Sequence, residues 1–479
     1  MKRRMPPVQL SLLAGQDASE EEQTAGRSGS QEPQQIEEVA FTEVDAFPPF
    51  DAIEHGELFT LSLRTNTSDL THGLHRFPAK FIPQIPRWAL TYLAANGENV
   101  LDPFMGSGTT LVEGLRRRGT TIGVDIDPLA RLIAHAKTDL PAPARIAELG
   151  RELHEGWSGP ACTLQPPMPD ILQFEHWFSR DAWATLQALL EHIFALPCND
   201  PERGFLLVVF SSILRWVSNA DDQSQKTYVS GTRRKQLPDV LDTFWRSFQR
   251  ALRGLEYLHI ARCSDTHVLI DDASDACSLG MASSSIDLIV TSPPYLDSVD
   301  YMYNFMLEYF WLGPLLGVKD RKTFNALRRT RLGTKTPQDV PALLPETLHD
   351  LIDLQHVPAA RRGATIAYFR GMETHFAEAA RVLREGGRYV LVVGNSQTIT
   401  GIMPIHDGLV RLAAVAGLKL EKAFAYRIRR HYMKFPRNGR GGIILIDWVI
   451  VLQKAAGASA YPERLPLPWV TLGKQSVAH

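Results

Sequence analysis

Apolar positions in the first third of this chain fall into two alternating patterns, one of which is lost through the middle and recovered afterwards. Residues 85–94 repeat apolar side chains at helical spacing and lead into the short apolar run 99–102, which is too brief for a helix and predicts a strand. A helix at 110–118, a strand at 121–125 and a helix at 128–137 follow, an alternation that predicts a parallel sheet. From 141 to 262 no convincing strand occurs, while 177–196, 203–217 and 238–258 carry apolar residues at helical intervals. Strands resume at 267–270 and 286–291, then at 388–393, 418–427 and 443–452, the last two as an antiparallel hairpin at the sheet edge. The pattern predicts an α/β fold, a doubly wound and mostly parallel sheet with a large helical insertion.

Composition adds the boundaries. Residues 1–45 are rich in Ser, Gln, Glu and Gly with few aromatics, a mixture that buries too little apolar surface to order, and are expected to be a disordered tail. The expected organisation is that tail, a lead-in and first half of the sheet at 46–140, the insertion at 141–262, the second half at 263–456 and a C-terminal tail at 457–479. At 479 residues and 44% hydrophobic, the chain can bury one large core or two smaller ones. Cys162, Cys198, Cys263 and Cys277 lie far apart without paired spacing, which argues against a disulfide framework or zinc site. The basic start is followed by a short apolar stretch broken by Pro and Gln and running into Glu20, Glu21 and Glu22, so neither signal peptide nor membrane span is expected, and the cytoplasm is the expected location.

Two motifs carry chemistry. The strand at 286–291 runs into Thr291, Ser292, Pro293, Pro294 and Tyr295; two prolines lack N–H donors and fix φ, so the strand must end in a rigid turn. That turn offers a hydroxyl, carbonyls without ladder partners and a flat ring, a combination suited to gripping the exocyclic amine of a planar base. The strand at 99–102 runs through Asp102, Pro103, Phe104, Met105, Gly106, Ser107, Gly108, Thr109 and Thr110 into a helix. Gly106 and Gly108 let backbone approach a ligand, and the helix N-terminus presents unpaired N–H groups. Asp125, at the end of the next strand, stands where doubly wound folds hold ribose hydroxyls. Leu111 replaces the third glycine of a dinucleotide fingerprint, and Gly-Thr-Thr replaces the Gly-Lys-Ser/Thr of a P-loop. With no lysine for phosphates and Asp102 available to an ammonium, an adenosine with a zwitterionic tail fits best, which describes S-adenosylmethionine.

Together these motifs resemble those of the amino-methylating DNA methyltransferases, which modify cytosine N4 or adenine N6. The resemblance rests on 102–110 as cofactor loop, on Ile122, Gly123, Val124 and Asp125, and on Thr291 to Tyr295 as catalytic turn, and covers roughly 70–140 and 265–455. It implies a class I, Rossmann-like methyltransferase fold and S-adenosylmethionine as cofactor. Residues 75–81 are similar to a segment that packs over the cofactor in one subgroup, which implies cofactor contacts for Lys80 and Phe81. An acidic residue after the third strand contacts adenine in the family; Asp272 matches it, with Asp271 as the alternative. Ser292 at the head of the turn resembles the cytosine-N4 enzymes, where adenine enzymes usually carry Asp or Asn. The order of cofactor loop, insertion and catalytic turn resembles the class whose target-recognition region lies between the two signatures. Double-stranded DNA is the implied partner, alongside a cognate restriction or defence-system protein.

A net charge of −2 argues against a protein that coats nucleic acid and leaves local basic patches. One is 427–440, with Arg427, Arg429, Arg430, Lys434 and Arg437 interleaved with aromatics; another is 321–335. In the insertion, Arg233, Arg234 and Lys235 are candidate phosphate contacts beside Arg215 and Lys226. His72 and His75 lack a carboxylate or cysteine neighbour in sequence, so no metal site is expected. The alternatives weighed are an RNA guanine-N2 methyltransferase and a protein-glutamine methyltransferase, which typically carry Asp and Asn where this chain has Ser292, and a non-catalytic DNA-binding subunit, which would be free to lose these motifs.

Overall fold

The computed structural model describes residues 41–62, 67–78, 80–171, 173–222, 226–231, 235–296, 300–394, 396–398, 401–428 and 446–455. Strands β1 (Thr42–Val44) and β2 (Leu58–Leu61) precede helix α1 (Gln84–Tyr92). Next come β3 (Asn99–Asp102), α2 (Thr109–Gly114), β4 (Gly119–Val124) and α3 (Pro128–Thr138). The helical stretch holds α4 (Pro143–Glu155), α5 (Phe174–Trp177), α6 (Arg180–Ala195), α7 (Asp200–Val217) and α8 (Val240–Ala261). Strands β5 (Thr266–Asp271) and β6 (Ile286–Thr291) lead to α9 (Tyr301–Asn304), α10 (Met306–Leu312), α11 (Arg321–Thr330) and α12 (Ala359–Val382). The remainder is β7 (Leu383–Gly394), a ribbon of β8 (Ser396–Thr398) and β9 (Gly401–Met403), α13 (Ile405–Val415), β10 (Leu418–Arg427) and β11 (Ile446–Lys454).

Nine strands form one sheet in the order β1-β2-β10-β11-β7-β6-β3-β4-β5. All neighbours are parallel except β11, which runs against both β7 and β10. Strands β3, β4 and β5 step outward in one direction, after which the chain crosses back to place β6 beside β3. That reversal is a topological switch point, the place at which open α/β sheets bind ligands, outside the carboxyl ends of the strands. Asp102 ends β3 and Thr291 ends β6, so the fold itself delivers the two sequence motifs to one place.

The central strands are buried on both faces, as parallel strands require. Val100, Leu288, Val290, Val390 and Val392 pack with Trp88 of α1, while Leu101, Ile289, Leu391 and Val393 pack with Phe369 and Phe376 of α12. A third core lies among the helices: Trp311 of α10 meets the rings of Phe174, Phe178 and Phe210 at centroid distances of 5.6, 5.7 and 5.7 Å. Because α10 follows the catalytic turn and α3 contributes Leu129 and Ile133, this core ties the helical stretch to both halves of the sheet.

Several expectations change. Residues 42–44, assigned to the tail, form an edge strand, and β1 with β2 covers the outer side of β10, so the β10–β11 hairpin does not lie at the sheet edge. These two strands are short and separated by Pro48 and Pro49, too little sequence for a period to show. Helix α2 stops at Gly114, not 118, and β4 starts at Gly119; a Cβ on Gly114 would sit 2.2 Å from Thr121 Oγ1, so helix and strand press together there. No helix among the described residues is long and apolar enough to cross a membrane.

Candidate active site

Asp102 is fully buried where the cofactor loop leaves β3. Its Oδ2 accepts from Thr110 Oγ1 at 2.6 Å, its Oδ1 from Thr291 Oγ1 at 2.6 Å, and the Phe104 N–H donates to Oδ1 at 3.2 Å. Burial pushes the carboxyl up to about 7 despite those three donors. One carboxylate therefore joins the helix after the glycine loop to the strand before the proline turn, and the ammonium contact expected of Asp102 has to share oxygens already engaged by protein donors.

The loop turns on Gly106 (φ 49°) and Gly108 (φ 75°), a region that L side chains avoid. A Cβ would meet Phe77 at 3.0 Å from Gly106 and Ala134 at 3.1 Å from Gly108. Asp125, at the end of β4, accepts from the Gly106 N–H at 3.0 Å and from the Asp127 N–H at 2.8 Å while keeping 14% of its side chain exposed. Burial raises its carboxyl, against Arg331, which lowers it. Asp127 caps α3 through Leu129 and Ala130 and receives the Tyr309 hydroxyl and Arg331 Nη2, the latter at 2.6 Å. The 331–335 segment returns from beyond the catalytic turn: Arg331 reaches the cofactor side, and a Cβ on Gly333 (φ 76°) would lie 3.3 Å from the Tyr295 carbonyl.

The segment before α1 is clamped over the other side of the loop. Glu113 of α2 accepts from Arg87 Nε at 2.9 Å and Nη2 at 2.8 Å, from Arg116 Nη1 at 2.9 Å, and meets His72 Nε2 at 2.8 Å. Burial opposes ionisation of Glu113, but His72 and Arg87 outweigh it and hold the carboxyl down to about 2. Lys80 Nζ donates to the His72 carbonyl at 2.8 Å, and burial lowers it to about 8. Lys137 of α3, fully buried, donates to the Ser107 carbonyl at 2.9 Å and supports the loop from beneath. Phe81 sits in the core facing α1; Pro103 is buried, Phe104 half-buried and Thr109 buried at the start of α2.

In the turn itself Ser292 and Pro294 are half-buried, Pro293 and Tyr295 buried. The Tyr295 hydroxyl donates to Asp447 Oδ1 at 2.9 Å. Elsewhere the expected residues scatter. Asp271 Oδ1 accepts from the Ala273 and Ser274 N–H groups, closing the turn after β5 and leaving Asp272 exposed beside it. Lys235 Nζ donates to the carbonyls of Arg215, Ser218 and Ala220, so its ammonium caps the end of α7. Arg427 stacks its guanidinium 5.2 Å from the Phe41 ring at the end of β10. Arg233, Arg234, Arg429, Arg430, Lys434 and Arg437 lie outside the described residues. No group of three or more His, Cys, Asp or Glu among the described residues is arranged to hold a metal ion.

Sequence reasoning missed Glu113, Asp127, Lys137, Arg331, Gly333 and Asp447. Asp127 before Pro128 carried a helix-start signal that could have been used, and Arg331 lay in a run noted only for its charge; the contacts of the others depend on the fold and left no local mark.

The comparisons agree with the geometry. A family model for N6 and N4 enzymes, described as DNA methylase, matches residues 30–135. The chain is 26% identical over 364 residues to the Type II methyltransferase M.MvaI of Kocuria varians, spanning 70% of this chain and 78% of that one. To the Type II methyltransferase M.BsoBI of Geobacillus stearothermophilus it is 22% identical over 321 residues, spanning 58% and 60%. These matches support a place for the chain among the amino-methylating DNA methyltransferases. Among solved structures, the rRNA methyltransferase aviRa from Streptomyces viridochromogenes overlaps 82% of this chain and 94% of its own, at 15% identity and a TM-score of 0.31. The methyltransferase uses S-adenosylmethionine, and the loop suits it: Gly106 and Gly108 hold a left-handed backbone in which a Cβ would press on Phe77 and Ala134, and the buried Ser107 Oγ has no hydrogen-bond partner among the described residues.

Proposed function

We propose that this methyltransferase transfers a methyl group to the N4 amine of a cytosine flipped out of double-stranded DNA, and that it acts in the cytoplasm beside a cognate restriction or defence-system protein. The observation that carries the reading is Ser292 at the head of a rigid turn, one residue from the Thr291 hydroxyl that Asp102 ties to the cofactor loop. The Type II designations of M.MvaI and M.BsoBI support the biological setting.

An aromatic amine is a poor nucleophile because its lone pair is delocalised into the ring. The Ser292 hydroxyl and the Pro293 carbonyl accept hydrogen bonds from it and draw it toward tetrahedral geometry, while Pro294 stiffens the turn and Tyr295 stacks on the base. Stacking of this kind is worth about 1–3 kcal/mol, against a flipping cost of a few kcal/mol. When bound, S-adenosylmethionine supplies an activated methyl group, so the protein's work is alignment and exclusion of water. Asp125 holds the ribose, Asp272 the adenine, the glycine loop from Pro103 to Thr109 the amino-acid end, with Asp102 beneath it and Lys80 and Phe81 behind. Basic residues of 427–440 and of 233–235 supply phosphate contacts; with its ammonium on the α7 carbonyls, Lys235 contributes by shaping its segment.

The test is to incubate the protein with methyl-labelled cofactor and unmethylated DNA or RNA, digest to nucleosides and identify the labelled product by mass spectrometry. N4-methylcytosine is expected. N6-methyladenine would overturn the inference from Ser292, and label confined to RNA would overturn the DNA substrate.

A further inference from the structure

Asp447 is the second residue of the last strand, β11, and nothing in the local sequence marks it. In the ladder it pairs with Tyr426 on one side and with Gly394 on the other. Strand β11 is antiparallel to its neighbours, so its first residues lie at the carboxyl end of the parallel strands, the same end as the catalytic turn. The side chain is buried to 6% exposure, and its two oxygens are divided between two phenols: Tyr295 donates to Oδ1 and Tyr426 to Oδ2, each at 2.9 Å.

A carboxylate placed between two tyrosines is an expensive way to fill a core, since burying a charge costs several kcal/mol unless hydrogen bonds compensate it. Two phenol donors provide that compensation, and in return the hydroxyl of Tyr295 is held at a defined point. Its other end leaves a backbone stiffened by Pro293 and Pro294. With Cβ held by the turn and the hydroxyl held by Asp447, the long axis of the ring is fixed before any base arrives. Tyr426, buried beside Phe47 at a centroid distance of 5.9 Å, holds the carboxylate from its far side. Burial pushes the Asp447 carboxyl up to about 6, and the hydrogen bonds from Tyr426 and Tyr295 work against that rise.

We infer that Asp447 is a positioning residue for methyl transfer: through the Tyr295 hydroxyl it holds the aromatic platform of the catalytic turn in the orientation that receives the flipped base. The inference rests on the DNA-methylation reading above. Its role is distinct from that of Ser292, since both Asp447 oxygens are already taken by the two phenols.

The experiment compares Tyr295→Phe, Asp447→Asn, the double variant and Tyr426→Phe in steady-state methylation of unmethylated DNA, with cofactor affinity measured separately by calorimetry. Tyr295→Phe keeps the ring and removes only the hydroxyl, so it tests the idea even if Asp447→Asn folds poorly. Asn keeps the shape but cannot accept from both phenols. Expected is a fall in kcat of roughly tenfold for each single variant, the order of one hydrogen bond, with cofactor affinity unchanged and no further loss in the double variant. Tyr426→Phe should fall several-fold. Wild-type turnover by Tyr295→Phe, full additivity in the double variant, or loss of cofactor affinity in step with kcat would each overturn the positioning role while leaving DNA methylation intact. Wild-type protein that labels no DNA would overturn the functional reading and the inference with it.

Discussion

Replacing Glu113 by Gln tests whether the clamp over the cofactor loop is as strong as its geometry implies. This carboxylate, 3% exposed, accepts both prongs of Arg87, one of Arg116 and a contact from His72, and so fastens α1 and the segment before it to the helix after the glycine loop. Its pKa of about 2, against an ordinary value of 4.5, corresponds to roughly 3 kcal/mol of folding stability at neutral pH, within the range seen when one partner of a buried ion pair is removed. The sign follows from the direction of the shift. A carboxyl held below its unfolded value contributes fully above about pH 4.5 and loses that contribution as pH falls toward 2. Gln does not titrate, so the difference between wild type and Glu113→Gln, measured by urea unfolding, should be about 3 kcal/mol at pH 7 and shrink steadily below pH 4.5. A difference that stays constant from pH 7 to pH 3.5, or one under about 0.5 kcal/mol at pH 7, would refute the claim that these four contacts act on an ionised carboxylate.

Three further substitutions probe the site. Ser292→Ala should lower kcat by roughly tenfold or more at unchanged cofactor affinity, because it removes one acceptor for the amine; calorimetry beside a methylation assay checks both halves. Gly108→Ala forces a Cβ into a left-handed backbone 3.1 Å from Ala134, and should weaken cofactor binding and cost about 1–2 kcal/mol of stability, read by titration and thermal melting. Lys235→Met should lower stability by about 1 kcal/mol through loss of the α7 cap, yet leave the salt slope of DNA affinity unchanged; a slope reduced by about one unit would show that the ammonium meets phosphate after all.

Much of the sheet was legible because buried strands announce themselves: 99–102, 286–291 and 418–427 were read with the bounds they have, the first two as short apolar runs closed by Asp or Pro. The glycine loop and the proline turn were legible for a different reason, since their residue types are forced by backbone geometry. What sequence could not supply is the destination of a side chain. Lys235 looks like any member of a basic run until its three carbonyl partners appear, and Arg331, in a stretch read as a phosphate patch, instead reaches Asp127 across the site. Charge composition reports which groups exist; only the fold decides which of them are already engaged.

The hydrogen bond from Thr291 to Asp102 joins residues 189 positions apart, and this separation has a consequence for how the enzyme is made. At about 5–20 residues per second of synthesis, the catalytic strand leaves the ribosome on the order of ten to forty seconds after the cofactor loop. Until then β3 lacks its neighbour β6, and the Asp102 carboxylate lacks one of its two hydroxyl donors. Equilibrium hardly registers the distance, because doubling a closed loop adds only about 0.6 kcal/mol. A nascent or truncated chain ending within the helical stretch thus carries the cofactor loop without the strand that pairs with β3 and donates to Asp102.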